Sequence, residues 1–283
     1  MRGASVLIVG AGLFGRIIGH TLARAGHNVL WVDDDRDGSG FKAAGCIVRP
    51  SWLAALGSEG ETAINHLKGL YPTEDRTFYA GQITGSGLEA NVRATVLPIT
   101  AMEIDPKKKT ALSISKVEGK RYWLTTVAPN KPTGPTEAAA DFVIVAAGIW
   151  TQQIVSGVAL TGLYGTSAVF EKSDREAGIV QYAPYKQEVW FPRSDGFWYG
   201  DGQALIKKSY NGRRAAQTVE RANRSGLKGI IKTNVGVRPY SSLKTGVLEF
   251  RPDNLIVSTG GAKNGSAVAA LHALEIERFI EKA

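Results

Sequence analysis

Val6-Leu7-Ile8-Val9-Gly10-Ala11-Gly12-Leu13-Phe14-Gly15 is the stretch on which the reading of this chain turns. An apolar run, Val6 to Val9, stops at a glycine turn. Arg16 to Ala25 then carry helical spacing, and a second apolar run, Val29 to Val32, ends in Asp33-Asp34-Asp35. The pattern is strand, tight turn, helix, strand. The three glycines act differently. Gly10 makes the turn, Gly12 lets backbone N–H groups approach a pyrophosphate at the helix N-terminus, and Gly15 lets the helix pack close on the strand. Asp33, with Asp34 beside it, suits the hydroxyls of an adenosine ribose. Strand before, helix after and an acid about twenty residues on are the context a dinucleotide-binding motif requires. The alternative is a purely structural βαβ unit.

Outward from that stretch, 283 residues suffice to bury a full core and make one large or two interleaved domains. No run approaches the roughly eighteen apolar residues of a membrane span. Met1-Arg2 leads straight into the first strand, which argues against a leader peptide, and the single Cys46 excludes an internal disulfide framework. The expectation is a cytoplasmic protein with no membrane partner; its oligomeric state is not legible. The net charge of +8 is unevenly spread. Between 204 and 248 stand ten basic residues, Lys207, Lys208, Arg213, Arg214, Arg221, Arg224, Lys228, Lys232, Arg238 and Lys244, against one acid, Glu220. Such a segment attracts polyanions such as DNA, or it is a solvated surface that keeps the protein in solution.

The loop 37–50 is rich in small residues, and a loop leaving the second strand of a nucleotide-binding fold passes over the cofactor. Ser39, Ala44 and Gly45 are its candidate contacts, unless the loop is a surface turn. Glu59 to Leu70 has helical spacing, with His66 as a polar-face or capping residue. Strand patterns follow from Arg76 to Asp105. Ala111–Ser115 and Tyr122–Val127 flank Glu118-Gly119 as a hairpin, and 129–140 reads as a loop. Asp141-Phe-Val-Ile-Val-Ala-Ala-Gly-Ile-Trp150 holds a fully apolar strand of the buried parallel kind, whose end falls at the sheet edge that carries Gly10. Beyond Thr151 the pattern turns β-rich and aromatic: Tyr182, Tyr185, Trp190, Phe191, Phe197, Trp198 and Tyr199 line a pocket or fill a core. A short helix over 215–223, a strand at 255–259, a glycine turn and a closing helix over 267–282 complete the chain.

Five dispersed motifs, in order, resemble the FAD-dependent D-amino-acid oxidase and glycine oxidase family. They are Gly10-Ala-Gly12-Leu-Phe-Gly15 with Asp33; Ala43-Ala44-Gly45; Val145-Ala-Ala147-Gly148-Ile-Trp150; Val235-Gly-Val-Arg-Pro-Tyr240; and Ser258-Thr-Gly-Gly261-Ala-Lys263-Asn264-Gly265. The resemblance implies an α/β fold of the glutathione-reductase-like type, with a Rossmann-like FAD-binding domain (1–50, 107–158 and 236–283) interleaved with a smaller antiparallel β-rich substrate domain (51–106 and 159–235). It implies noncovalent FAD, because the covalent branch places a cysteine beside the Arg-Pro position and none stands here. The cofactor would be held by the first motif, including Leu13 and Phe14, by Ala147, Gly148 and Trp150, and by the closing turn Gly261 to Ser266.

By the same resemblance Arg238 holds the substrate carboxylate, a role that its planar fork suits, unless it makes a structural salt bridge. Lys263, at the turn that opens the last helix, would stabilise reduced flavin, or point to water. Tyr185, Tyr199 and Tyr240 are candidates to orient the substrate nitrogen. The implied activity is oxidation of a glycine-type amine to an imine, hydrolysed to glyoxylate and an amine. Compact, basic bacteriophage members of the family act on glycine joined through nitrogen to the thymine methyl carbon in DNA, and the favoured substrate here is of that kind. Alternatives are an oxidase of free glycine, sarcosine or D-amino acids, and a non-catalytic nucleotide-binding scaffold.

Overall fold

The computed structural model describes all residues except 1–2, 36–37, 50–52, 81–90, 98–101, 105–106, 109, 118–120, 128–135, 172–176, 184–185, 201–204, 207–212 and 225. A six-stranded sheet runs in the order β17 (Val247–Arg251), β18 (Leu255–Thr259), β10 (Phe142–Val145), β1 (Ser5–Val9), β2 (Asn28–Asp33) and β6 (Lys107–Lys108). Its neighbours are parallel except β17, which runs against β18. The apolar runs at its centre are buried on both faces, as a parallel sheet demands. Strand alternation splits them. Val6, Ile8, Ile144 and Ile256 face helices α1 (Leu13–Arg24) and α6 (Gly265–Lys282), whereas Leu7, Val9, Val143 and Val257 face Val155 and Val158 on the other side.

Helix α3 (Ser58–Leu70) joins this layer. Ala63 and Leu67 are fully buried in one cluster with Ile17, Ile18 and Ile276, and His66 Nε2 meets Thr21 Oγ1 of α1 at 2.8 Å. The sequence division assigned 51–106 to the substrate domain, but the apolar face of α3 finds its partners on α1 and α6. His66 is thus a pin between two helices, and burial lowers its pKa, with Arg24 adding to the shift.

A nine-stranded sheet forms the second layer, in the order β15 (Leu205–Ile206), β11 (Thr161–Phe170), β14 (Gly196–Gly200), β13 (Lys186–Arg193), β12 (Gly178–Ala183), β4 (Glu74–Ala80), β5 (Asn91–Val96) and β3 (Ile47–Val48). Strand β16 (Ile230–Tyr240) pairs antiparallel with β11 along its whole length. The domain boundary expected at 236 falls inside this one continuous strand. One face of β11 and β14, bearing Ala168, Phe170, Phe197 and Tyr199, is covered by α5 (Arg213–Arg224) through Ala222; the other carries Val169 and Trp198.

Three strands form a separate antiparallel sheet, β7 (Thr110–Val117), β8 (Arg121–Val127) and β9 (Thr136–Ala139). The first two are the expected hairpin. The third falls inside the stretch expected to be a loop; its alanines and threonine pair with β8. Short helices α2 (Gly40–Ala43) and α4 (Thr151–Ile154) follow the ends of β2 and β10. Among the described residues no helix is long and apolar enough to cross a membrane.

Candidate cofactor and substrate site

The glycine turn is built as its sequence dictates. Gly10 has φ +108°, a conformation costly for any residue with a Cβ, and its N–H donates to the Val32 carbonyl at 2.8 Å. A Cβ on Gly15 would lie 1.9 Å from the Gly10 carbonyl oxygen, so the close helix–strand approach does require glycine there. Gly12 differs: no atom lies within 4 Å of where its Cβ would be. It caps α1 with no side-chain hydrogen bond and no acid in the first turn, which leaves that turn's N–H groups for an anion. The Asp33 carboxylate accepts the Ala11 N–H at 2.5 Å and the Asp35 N–H at 2.6 Å, tying the tip of β2 to the turn. Arg16 locks the assembly by donating to the Ala11 and Met102 carbonyls, each at 2.6 Å, while lying 4.5 Å over the Phe41 ring.

From this turn a cavity with about 1640 Å³ of empty space, part of it open to solvent, runs to the second sheet. Gly10, Gly12, Leu13, Phe14, Asp33 and Asp34 line one end. Ser39, Ala44 and Gly45 line it from the loop after β2, and Ala147, Gly148 and Trp150 from the end of β10. Lys263, Gly265 and Ser266 line it from the closing turn, so the uncapped N-terminus of α6 also opens onto it. Arg238 completes the wall from β16. The acids stand at the glycine-turn end, and the cations Arg238 and Lys263 come from the second sheet and the closing turn.

Arg238 is held flat by a second glycine. A Cβ on Gly165 of β11 would meet the guanidinium atoms at 3.2–3.4 Å, so the absence of a side chain there gives the fork its bed. Gly236, two residues earlier on β16, permits another close approach: a Cβ there would come within 2.7 Å of the Ala43 side chain and 3.0 Å of the Ser39 carbonyl. The strand that carries Arg238 thereby packs against the loop that lines the cavity. Lys263 is lowered in pKa by burial first, then by the neighbouring positive charges of Arg238 and Arg49.

Some expected residues stand elsewhere. Tyr199 does not line the cavity: it pairs with Ala168 on the α5 face and is fully buried among Phe170, Phe197 and Leu227. Strand alternation sends Trp198 and Gly200 to the cavity and Tyr199 away. Tyr240 is 44% exposed and outside the lining, and Tyr185 lies outside the described residues. Gly15, Gly261 and Asn264 serve the frame. Gly261 packs under the Phe14 ring, and Asn264 stands at the start of α6 without a side-chain bond to the helix, its N–H closing the turn on the Gly261 carbonyl at 2.9 Å.

Other lining residues were not singled out as site residues, though Trp198 stood among the aromatics for pocket or core. Trp198, Val189 and Gly200 come from the aromatic-rich strands, and Cys46 and Ile47 directly follow the quoted Ala43-Ala44-Gly45. Burial pushes the Cys46 thiol up to about 11, so it is no thiolate. Of the basic segment, Lys207 and Lys208 lie outside the described residues, and α5 with Arg221 and Arg224 covers the sheet face turned away from Arg238.

No protein-family model matches the sequence, nor does any curated protein. Solved structures do match. Iminodiacetate oxidase from Chelativorans sp. BNC1 superposes with a TM-score of 0.66 at 17% identity over 98% of this chain and 95% of that one. Glycine oxidase from Geobacillus kaustophilus gives 0.61 at 15% over 100% and 95%. A glycerol-3-phosphate dehydrogenase from Bacillus halodurans, solved with FAD, gives 0.68 at 13% over 99% of this chain and 65% of that one. The chain therefore has the fold of FAD-dependent oxidoreductases of the D-amino-acid oxidase and glycine oxidase type.

Proposed function

We propose that the cavity binds FAD noncovalently and that the protein oxidises the C–N bond of a glycine-type amine. The observation that carries this is one continuous cavity leading from Asp33, past two uncapped helix N-termini, to the Arg238 guanidinium. The residues fit the cofactor: space above Gly12 for a pyrophosphate, Asp33 and Asp34 for a ribose, and the small Ala44, Gly45, Ala147 and Gly148 in the lining, which leave room for a flat ring.

When bound, the flavin supplies a two-electron acceptor for hydride from the glycine α-carbon. Arg238 grips the carboxylate and so fixes that carbon; placement of this kind can contribute several kcal/mol to a barrier. Lys263 and the N-terminus of α6 put positive charge on the cavity wall, which would stabilise an anionic reduced cofactor held there. The substrate amine gives up a hydride from carbon and a proton from nitrogen, two electrons and two protons in all, to become an imine. Water adds across it, the C–N bond breaks, and glyoxylate and the parent amine leave.

For the substrate we favour glycine joined through its nitrogen to the thymine methyl carbon in DNA. Support comes from the net charge of +8, from Lys228, Lys232 and Lys244 exposed on the surface, and from a cavity open to solvent. Oxidation of a small free amine is the second reading, favoured by the names of the iminodiacetate and glycine oxidases that share the fold. Anaerobic mixing of the flavin-loaded protein with glycyl-thymidine oligonucleotide, iminodiacetate, glycine and sarcosine separates the two, because only a substrate bleaches the flavin. Bleaching by none of them removes the amine-oxidation proposal; a colourless protein that takes up no FAD removes the cofactor.

A further inference from the structure

Tyr240 stands outside the cavity yet next to its clamp. It lies two residues beyond Arg238 on β16, opposite Thr161 where Arg238 is opposite Leu163, so both project from the same face of the strand. Pro239 lines the cavity and Tyr240 does not; its backbone instead bridges to Gly261, immediately before the lining residues Ala262 and Lys263. Tyr240 is thus at the rim. The chain next turns through Ser241 to Gly246, where Ser241 Oγ and the Gly246 N–H both donate to the Leu243 carbonyl at 3.1 Å. The turn leaves Leu243 59% exposed, with the exposed Lys244 beside it. It is anchored from behind, since His272 Nε2 donates to the Thr245 carbonyl at 2.7 Å.

A rim that displays an aromatic ring, a leucine and an ammonium offers contacts that a free glycine held by its carboxylate at Arg238 is too small to use. It suits a flat ring left outside while an attached carboxylate reaches Arg238. Resting on the amine-oxidase reading of this cavity and on its DNA substrate, we propose that Tyr240 is the stacking platform for the pyrimidine base that carries the glycyl group. Leu243 covers the base edge and Lys244 meets a flanking phosphate. The base leaves its helical stack to be read there, and every base offers a π-face to an aromatic side chain. Charge favours a nucleic-acid strand over a protein at this rim: the exposed Lys244 follows a strand whose Arg238 lines the cavity with Lys263, and no acid stands between Val235 and Leu248.

The test uses the full-length flavin-loaded protein, with anaerobic flavin reduction measured against concentration for a single-stranded glycyl-thymidine oligonucleotide and for iminodiacetate. Tyr240→Ala should raise the half-saturating oligonucleotide concentration about tenfold or more, and Tyr240→Phe should restore it. The loss on the oligonucleotide should exceed that on iminodiacetate by about tenfold. Leu243→Ser, a change at an exposed turn position, should shift the same constant in the same direction by less. Equal losses on both substrates, or no loss on the oligonucleotide, would overturn the platform while leaving the DNA substrate in place. A wild-type protein that iminodiacetate reduces and the oligonucleotide does not would remove the DNA substrate and the platform together.

Discussion

The glycine turn and the Arg238 wall are made in opposite ways. The turn is assembled from residues within one strand, one helix and one further strand, and its own pairs are local, Ala11 with Asp33, Gly10 with Val32 and Gly15 beneath Gly10, with Arg16 then tying it to the distant Met102 carbonyl. The wall is assembled from Gly165, Trp198, Gly200 and Arg238, which separate strands bring together. A locally built site announces itself in a motif. A wall built by strand pairing announces only the residue with the unusual chemistry, and leaves its neighbours to the register.

The most severe way to break that comparison is at the turn. Gly15→Ala places a carbon 1.9 Å from a backbone oxygen that cannot retreat without opening β1 from α1. The expected cost is about 3 kcal/mol or more, seen as a large drop in Tm and a protein purified without colour. Gly12→Ala is the control for the same motif. With no atom within 4 Å of the new methyl, it should alter the stability of the flavin-free protein by only about 0.5 kcal/mol while weakening FAD uptake, read as bound flavin per chain. If both variants lose stability alike, Gly12 is a packing residue and the space above it is no phosphate site.

At the wall the expected effect is next in size and kinetic. Arg238→Met should lower kcat/KM for glycine-type amines on the order of a hundredfold or more, with bound flavin and Tm retained. A proportionate loss of flavin would instead make Arg238 part of the cofactor cradle. Gly165→Val is the companion variant. Its branched side chain intrudes on the bed of the guanidinium, so it should reproduce part of the Arg238→Met defect without touching the arginine.

The same contrast explains what the sequence revealed. The turn, its three glycines and Asp33 were legible because strand, turn and helix periodicities occur side by side. Arg238 was singled out because Gly-Val-Arg-Pro resembles the carboxylate-holding motif of the glycine oxidase family, and the structure places it in the cavity wall. Trp198 and Tyr199 both stood among the aromatics for pocket or core, and the sequence could not divide them, because alternation tells which residues share a face and not which face meets the cavity; one step of register exchanges them. Likewise Ser58–Leu70 is plainly helical, but its amphipathic stripe does not say whether α1 and α6 or the antiparallel sheet will cover it. The β9 strand was hidden because Thr136–Ala139 has little propensity of its own and is a strand only through its pairing with β8.

Between the two regions lies a joint that pH should loosen. His272 Nε2 donates to the Thr245 carbonyl and Nδ1 lies 2.8 Å from Ser258 Oγ, a pair that suits the neutral ring, and burial favours that neutral form in the folded protein. Burial holds its pKa at about 4, against an ordinary 6.5. The folded value is the lower one, so below pH 6.5 the unfolded chain takes up a proton that the folded chain refuses. Stability is therefore lost as pH falls from 6.5 towards 4, by about 3 kcal/mol in all. Denaturant titrations across that window should show the slope, and His272→Gln should flatten it. An unchanged slope would place the acid sensitivity elsewhere.

The smallest expected effect sharpens the comparison most, because it falls on a side chain that both builds the turn and faces the cavity. Asp33 uses its two oxygens to accept the Ala11 and Asp35 N–H groups. In Asp33→Asn the amide oxygen can keep one of these bonds, and the NH2 group opposes the other donor. One N–H is left without its acceptor, at a cost of about 1 kcal/mol, the lower end of the range because Asp35 is exposed. A ribose bound beyond it loses an ionised acceptor as well, so FAD affinity should fall by about tenfold. Comparison of Tm with and without added FAD separates the two losses. A Tm deficit that added flavin fully restores would mean that Asp33 serves the cofactor more than the turn. A deficit that flavin leaves unchanged would make it a structural clasp.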